Sequence, residues 1–186
     1  ILLFGFISFN DYPAFNLIIS ILSSLANSGL TLLEQGNNLS LYFLLITTVG
    51  GSLISNTSGI KLIRFYILLK ISSSEILKLI SPNSVINKTI FSSNRKILDE
   101  NVRISFLIFI SFFLSLFILS SFLVVDNISF EKSFKLSILT LTNTLNSTMY
   151  NMDNINFNNL LTSSKLSLIF FMIVGKIELI SVFLIF

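Results

Sequence analysis

The amino-acid sequence predicts an all-α polytopic membrane protein, and three observations support that prediction. Of the 186 residues, 53% are hydrophobic, and the mean hydropathy is +0.87. Only 11% of the residues are charged, whereas soluble domains contain roughly 25%. One stretch, residues 104–125, contains no charge, Gly or Pro. At about 1.5 Å per residue it reaches about 33 Å, enough to cross the hydrocarbon core of a bilayer.

The missing residue types exclude several classes of function. The chain has no His and no Cys, which excludes zinc sites built on those residues, imidazole or thiol catalysis, and disulfides. An intramembrane enzyme is also disfavoured, because no predicted membrane segment contains a pair of carboxylates. The net charge of +3 is small and dispersed among apolar runs, so no nucleic-acid partner is predicted.

Both ends of the sequence lie inside apolar runs. Ile1 opens the run ILLFGFISF without a Met or a basic region, so this run is not a signal peptide. Phe186 closes the run VFLIF. We therefore expect the chain to be a fragment of a longer membrane protein.

The first apolar stretch after Pro13 is too short to cross a bilayer. Asp11 and Pro13 mark a helix start, and the apolar part runs only over residues 14–25, about 18 Å. The small and polar residues LANSG, 25–29, follow directly. Polar backbone is tolerated at membrane depth only where protein or a watery cavity surrounds it, so a re-entrant segment is predicted.

A further crossing, predicted from Leu39 to about Ile71, is interrupted in its middle. The sequence TTVGGSLISNTSGIK, residues 47–61, places three Gly among Ser, Thr and Asn. Helices kink or unwind at such stretches, and irregular backbone there again requires a cavity beside it.

The second half of the chain repeats this order. After the uncharged span, a second short helix is predicted from about Ser129, and it leads into the polar residues NTLNSTMYN, 143–151. A final apolar run, residues 166–186, contains Lys176 and Glu178. The two polar turns centre near Gly29 and Thr148, so the architecture repeats with a period of about 120 residues.

The basic residues predict the orientation. Residues 61–103 contain eight basic and three acidic residues, a net charge of +5, and the rest of the chain carries −2. The positive-inside rule places the connection 72–101 in the cytoplasm, so both short helices enter from the opposite face. Binding of acidic lipid or nucleic acid by this loop is an alternative explanation for its basic residues, but the topology alone accounts for them.

This arrangement favours a cation path. A helix that stops halfway points its negative dipole end at the membrane centre, and a following extended turn offers carbonyl oxygens to a permeating ion. Small residues such as Ala26, Ser28 and Gly29 allow that backbone to face an axis. Polar loops between ordinary helices, and a solute transporter with broken helices, are the alternatives.

Three stretches resemble the Trk/Ktr/HKT family of potassium transporters, and its TrkH-like members in particular. Residues 50–64, GGSLISNTSGIKLIR, resemble the family's G-G-x-x-G-S-T-G-G-G-I-K-x-x-R. Residues 80–85, ISPNSV, are similar to its H-P-N-A-V. Residues 172–186, MIVGKIELISVFLIF, resemble its M-L-x-G-R-L-E-I-x-x-x-x-x-x-F. Order and spacing agree, and the match covers essentially the whole chain.

The resemblance implies repeated M1–pore helix–M2 units of potassium-channel type, four in one chain around a single pore. Residues 1–71 would then be the third repeat without most of its M1, 72–101 the cytoplasmic connection, and 102–186 the fourth repeat. The implied function is a pore-forming subunit for potassium uptake. No cofactor is implied, and K⁺ is the transported ion.

The resemblance also implies which residues bind and gate the ion. SSLANSGL, residues 23–30, is similar to the family's S-x-x-T-T-T-G-L, and TLNSTMYN, residues 144–151, is similar to its T-L-N-N-L-G-P-G. Residues 50–59 would form an intramembrane gate loop, and Lys176 would limit cation occupancy from the pore wall. The implied positions are the filter residues Ala26, Asn27, Ser28, Gly29, Asn146, Ser147, Thr148 and Met149, and the gate-loop residues Gly50, Gly51, Ser55 and Gly59.

Some residues depart from the family pattern. Met149 stands where the family has a filter glycine, and a Cβ makes a positive φ costly. Ile54, Thr57 and Ser58 replace glycines of the gate loop, and Lys176 replaces an Arg. A diverged, non-conducting protein that retains the fold is therefore a second hypothesis.

The partners follow from the same resemblance. They are the lipid bilayer, the N-terminal half of the same protein, a second copy in a homodimer, and a cytosolic nucleotide-binding regulatory subunit that the 72–101 loop could dock. The implied location is the inner (plasma) membrane, crossed several times.

Overall fold

The computed structural model describes residues 14–29, 40–51, 57–81, 97–144 and 157–176. Within these ranges every regular element is helical, which confirms the all-α prediction. The elements are α1 (Ala14–Leu25), α2 (Ser40–Val49), α3 (Leu62–Ile80), α4 (Asp99–Val125), α5 (Phe130–Thr142), a 3-10 turn (Phe157–Asn159) and α6 (Thr162–Lys176).

Helix α4 is, in the described part of the chain, the one helix long and apolar enough to cross a membrane by length and composition. It begins five residues before the predicted apolar span, at Asp99. Asp99 and Glu100 occupy its first turn, where the positive end of the helix dipole favours acidic side chains. The helix therefore extends beyond the stretch that hydropathy alone marks.

The two short helices have nearly the predicted bounds. Helix α1 has 12 residues and α5 has 13, so neither reaches across a hydrocarbon core of about 30 Å. The apolar run after Pro13 and the run after Ser129 both stop where the sequence becomes polar.

The interrupted crossing consists of α2 and α3, separated by residues 50–61, which we call the break. Helix α3 continues to Ile80, although the crossing was expected to end near Ile71. Its serines do not stop the helix, because Ser73 Oγ donates to the Leu69 carbonyl and Ser74 Oγ to the Ile71 carbonyl, each at 2.8 Å. The expected connection 72–101 is thus helical at both ends.

Helix α5 lies at the centre of the described structure. It packs against α2, α4 and α6, and every residue from 136 to 142 is buried. The largest apolar cluster surrounds it and draws side chains from several helices. Its fully buried members include Ile21, Phe43, Phe112, Leu116, Leu139 and Leu141.

The outer surface of α4 is apolar, whereas its buried face includes serines. Leu107, Leu114 and Phe117 are all more than half exposed. The buried Ser115 bonds back to its own helix, donating to the Ser111 carbonyl at 2.8 Å. The outer face therefore carries large apolar side chains, and the buried hydroxyls form hydrogen bonds within their own helix. Both features are typical of a helix that faces lipid.

Candidate functional site

Helix α1 ends in a tight cap at the residues predicted to bind the ion. Asn27 has a φ of +52°, in the left-handed region that commonly terminates helices. The Asn27 N–H donates to the Ser24 carbonyl at 3.3 Å, and the Ser28 N–H donates to the Ser23 carbonyl at 3.1 Å. The Ser23 and Ser28 hydroxyls also lie 2.9 Å apart. The backbone of residues 26–29 is therefore held in one conformation directly beyond the helix.

Helix α5 ends in the same way. Asn143 has a φ of +57°, and its N–H donates to the Thr140 carbonyl at 3.1 Å. The Thr144 N–H donates to the Leu139 carbonyl at 2.9 Å. A hydroxyl contact again locks the turn, since Thr142 Oγ1 lies 2.8 Å from Thr144 Oγ1.

The two caps define an internal equivalence that the sequence does not show. Asn27 and Asn143 make the same backbone bonds 116 positions apart, so residues 142–144 correspond to residues 26–28. The predicted period of about 120 is longer because it was measured between the centres of the two polar runs. The predicted fourth-repeat filter residues Asn146, Ser147, Thr148 and Met149 lie outside the described residues.

Hydrogen bonds hold together the two described flanks of the break, residues 50–51 and 57–61. The Gly51 N–H donates to Thr57 Oγ1, and the Ile60 N–H donates to the Thr48 carbonyl, each at 3.1 Å. Gly50 has a φ of +65°, and a Cβ there would lie 2.6 Å from the Ser58 carbonyl oxygen. Three expected gate-loop positions, Gly50, Gly51 and Gly59, lie in this fold, whereas Ser55 lies outside the described residues.

Ser58 brings the break into contact with both short-helix ends. The side-chain amide of Asn27 donates to the Ser58 carbonyl at 2.8 Å. The side-chain amide of Asn143 donates to the Ser58 hydroxyl at 3.0 Å and to the Met172 carbonyl at 3.1 Å. Sequence reasoning treated Ser58 only as a lost glycine and did not single out Asn143. The signal available was an Asn just after each short helix, a residue type that tolerates a left-handed cap.

Helix α6 approaches the end of α5 at a glycine. A Cβ at Gly175 would overlap the backbone carbonyl of Leu141, so a side chain cannot be accommodated there without a shift. Lys176, the next residue, ends α6 and is exposed. The basic residue expected on the pore wall therefore directly follows a tight contact between α6 and the capped short helix. Glu178 lies outside the described residues.

The polar groups at the two caps are neutral. Among the described residues, no group of three His, Cys, Asp or Glu side chains could hold a metal ion. Both caps instead gather backbone carbonyls and hydroxyls, next to the negative dipole ends of α1 and α5. Such neutral oxygens can replace the hydration shell of a monovalent cation.

Comparison with a solved structure decides the fold. The chain superposes on the crystal structure of the potassium transporter TrkH from Vibrio parahaemolyticus with a TM-score of 0.83, over 99% of this chain and 41% of that one. This chain has the TrkH fold. The sequence identity between the two is 19%. The expected likeness to TrkH is thus confirmed at the level of the fold, as is the all-α class.

A sequence relative points the same way. The chain is 32% identical over 114 residues to an uncharacterized cation transporter of Methanocaldococcus jannaschii. That match covers 60% of this chain and 23% of the relative, so the chain spans a minor part of both TrkH and the cation transporter. No protein-family model matches the chain. Both similar proteins are named as transporters rather than enzymes, in agreement with the prediction that the chain catalyses no reaction.

Proposed function

We propose that this chain is part of an ion transporter of the membrane and contributes two strands of backbone to a potassium path. The TrkH fold over nearly the whole chain and the named cation-transporter relative support transport of a cation. One observation supports the path itself. Two half-length helices end in the same capped turn, and both turns contact Ser58 in the break.

The ion would bind to the backbone just beyond each short helix. Ala26, Asn27, Ser28 and Gly29 form the first of these segments, where the cap fixes the carbonyl directions. Asn146, Ser147, Thr148 and Met149 would form the second in the family register, and residues 142–144 would begin it in the register of the caps. Because the chain supplies two such strands, the N-terminal half of the longer protein would supply the others around the axis.

The break would act as the gate below these strands. Gly50, Gly51, Ser55 and Gly59 would give it the backbone freedom to move. The positive charge of Lys176, on the helix that touches the end of α5, would reduce the number of cations held near the wall. We further propose a homodimer in the inner (plasma) membrane, with the 72–101 connection facing a cytosolic nucleotide-binding regulatory subunit.

Growth at low potassium tests the proposal. The full-length protein is expressed in a bacterium that lacks its own potassium uptake systems, and its insertion is checked by membrane fractionation. We expect growth at low external potassium together with uptake of ⁸⁶Rb⁺. Insertion without growth and without uptake would contradict the transport function.

A non-conducting membrane protein is the second candidate, because Met149 occupies the position of a filter glycine in the family pattern. If Met149 disables the strand, Met149→Gly should raise ⁸⁶Rb⁺ uptake from a background level. Equal uptake by both forms, above that of vector-only cells, would reject this candidate.

A further inference from the structure

Ser58 occupies an unusual position among the polar residues of the break. Its side chain is 6% exposed, and both its carbonyl and its hydroxyl accept hydrogen bonds from other parts of the chain. The donors are Asn27 and Asn143, which are 31 and 85 positions away in sequence. Long-range bonds of this kind join elements that the chain order keeps apart.

The two donors are also the residues that terminate the short helices. Asn27 and Asn143 have left-handed backbone, and the side-chain amide of each donates to Ser58. A displacement of Ser58 would therefore either break these bonds or rotate both turns.

Little free space surrounds the Ser58 carbonyl. Asn27 Nδ2 lies 2.8 Å from its oxygen. The Gly50 backbone is also so near that a Cβ there would approach that oxygen to 2.6 Å. Thr57, the preceding residue, accepts from the Gly51 N–H. The two described flanks of the break are thus in contact with each other beside Ser58.

We propose that Ser58 is a positioning residue that couples the break to the ends of both short helices. A movement of Ser58 then changes the separation of the two capped turns, and with it the preference of the path between ions. This inference rests on the proposed function, because it concerns the same path.

The two links can be separated by substitution. Asn27 uses the main-chain carbonyl of Ser58, which every side chain retains. Asn143 uses the hydroxyl, which Ser58→Ala removes and Ser58→Thr retains. Asn143→Gly removes the donor and keeps a residue suited to positive φ. It also removes the bond to Met172, so its effect should exceed that of Ser58→Ala.

The chain offers a matched control in Asn127. It has the same left-handed backbone, with a φ of +61°, and lies exposed in the turn between α4 and α5. Asn127→Gly therefore makes the same chemical change away from the break.

The experiment measures ⁸⁶Rb⁺ uptake by the full-length protein, its inhibition by Na⁺, and the amount of protein in the membrane. Ser58→Ala should shift the Rb⁺/Na⁺ preference about fivefold, the factor expected for one lost neutral hydrogen bond. Ser58→Thr should restore the original preference. Ser58→Ala combined with Asn143→Gly should shift it no further than Asn143→Gly alone, and Asn127→Gly should leave it unchanged.

The outcomes separate this inference from the proposed function. No uptake by the unsubstituted protein overturns the function and the inference with it. Normal uptake with an unshifted preference in Ser58→Ala overturns the inference alone. A Ser58→Ala variant that is less abundant but keeps its preference shows a purely structural role and also overturns the inference.

Discussion

The ends of α1 and α5 have the same local geometry in very different surroundings. Both end at an Asn with positive φ that carries the same pair of backbone bonds. Yet α5 is buried at every residue from 136 to 142, whereas Phe15 and Leu22 of α1 are more than half exposed. Helix α5 packs against three other helices, and α1 packs mainly against α2. The cap is thus set locally, and its environment is set by the neighbouring helices.

The hydroxyl groups of the two helices also differ in their hydrogen bonding. The hydroxyls of Ser137, Thr140 and Thr142 in α5 all donate to carbonyls one turn earlier, at 2.7–2.9 Å. In α1 the buried Ser20 hydroxyl has no partner within the described residues. Ser20 and Ser137 are equally buried, so these two hydroxyls differ in hydrogen bonding and not in burial.

The largest effect should come from filling the contact between α5 and α6. Gly175→Ala places a methyl group against the Leu141 backbone, so one of the two helices must shift. We expect a loss of about 3 kcal/mol in the free energy of unfolding. Thermal unfolding of the purified protein in detergent measures it. Ser163→Ala, an exposed change on the same helix, is the control, and equal midpoints for the two variants would refute the close contact.

Removing each cap amide compares the two ends directly. Asn143→Gly loses two hydrogen bonds and should cost about 2 kcal/mol, whereas Asn27→Gly loses one and should cost about 1 kcal/mol. Asn127→Gly, matched in backbone and exposed, corrects both values for the added chain entropy of Gly. Unfolding midpoints of the three variants give the order. A larger loss of stability for Asn27→Gly than for Asn143→Gly would contradict this order.

A smaller contrast should appear between two buried serines. Ser137→Ala removes a hydroxyl that donates to the Ser133 carbonyl at 2.7 Å and should cost about 1 kcal/mol. Ser20→Ala removes a hydroxyl with no partner in the described ranges, so it should be neutral or slightly stabilising. The two changes remove the same atoms from equally buried sites. Destabilisation of similar size in both would show that the Ser20 hydroxyl is bonded in the folded protein.

The smallest effect should come from the first turn of α5. Glu131 forms an i,i+4 ion pair with Lys135 at 2.7 Å, but its side chain is 76% exposed. Exposed pairs of this kind contribute little and are screened by salt. Glu131→Gln should therefore leave the unfolding midpoint unchanged at 0.5 M NaCl and lower it only slightly at low ionic strength. A clear drop at both salt concentrations would show that this turn is more enclosed than the structure indicates.

Much of the fold follows from hydropathy and helix signals. The ends of α1 and α4 at Leu25 and Val125 coincide with the prediction, because a change from apolar to polar residues is a local signal. The end of α3 was not predictable in this way, because Ser73 and Ser74 satisfy their hydroxyls within the helix. The resemblance supplied the family and the filter and gate positions, of which residues 26–29, Gly50, Gly51, Gly59 and Lys176 lie in the described structure.

By itself, the sequence determined the membrane class, the two half-length helices and the interruption between α2 and α3, since these depend on the order of apolar and polar residues. Only the tertiary structure decided that Asn27, Asn143 and Ser58 meet, that the two caps are 116 positions apart, and that Gly175 touches the end of α5. Such contacts join residues far apart in the chain. They depend on how the helices pack, which no local pattern of hydropathy encodes.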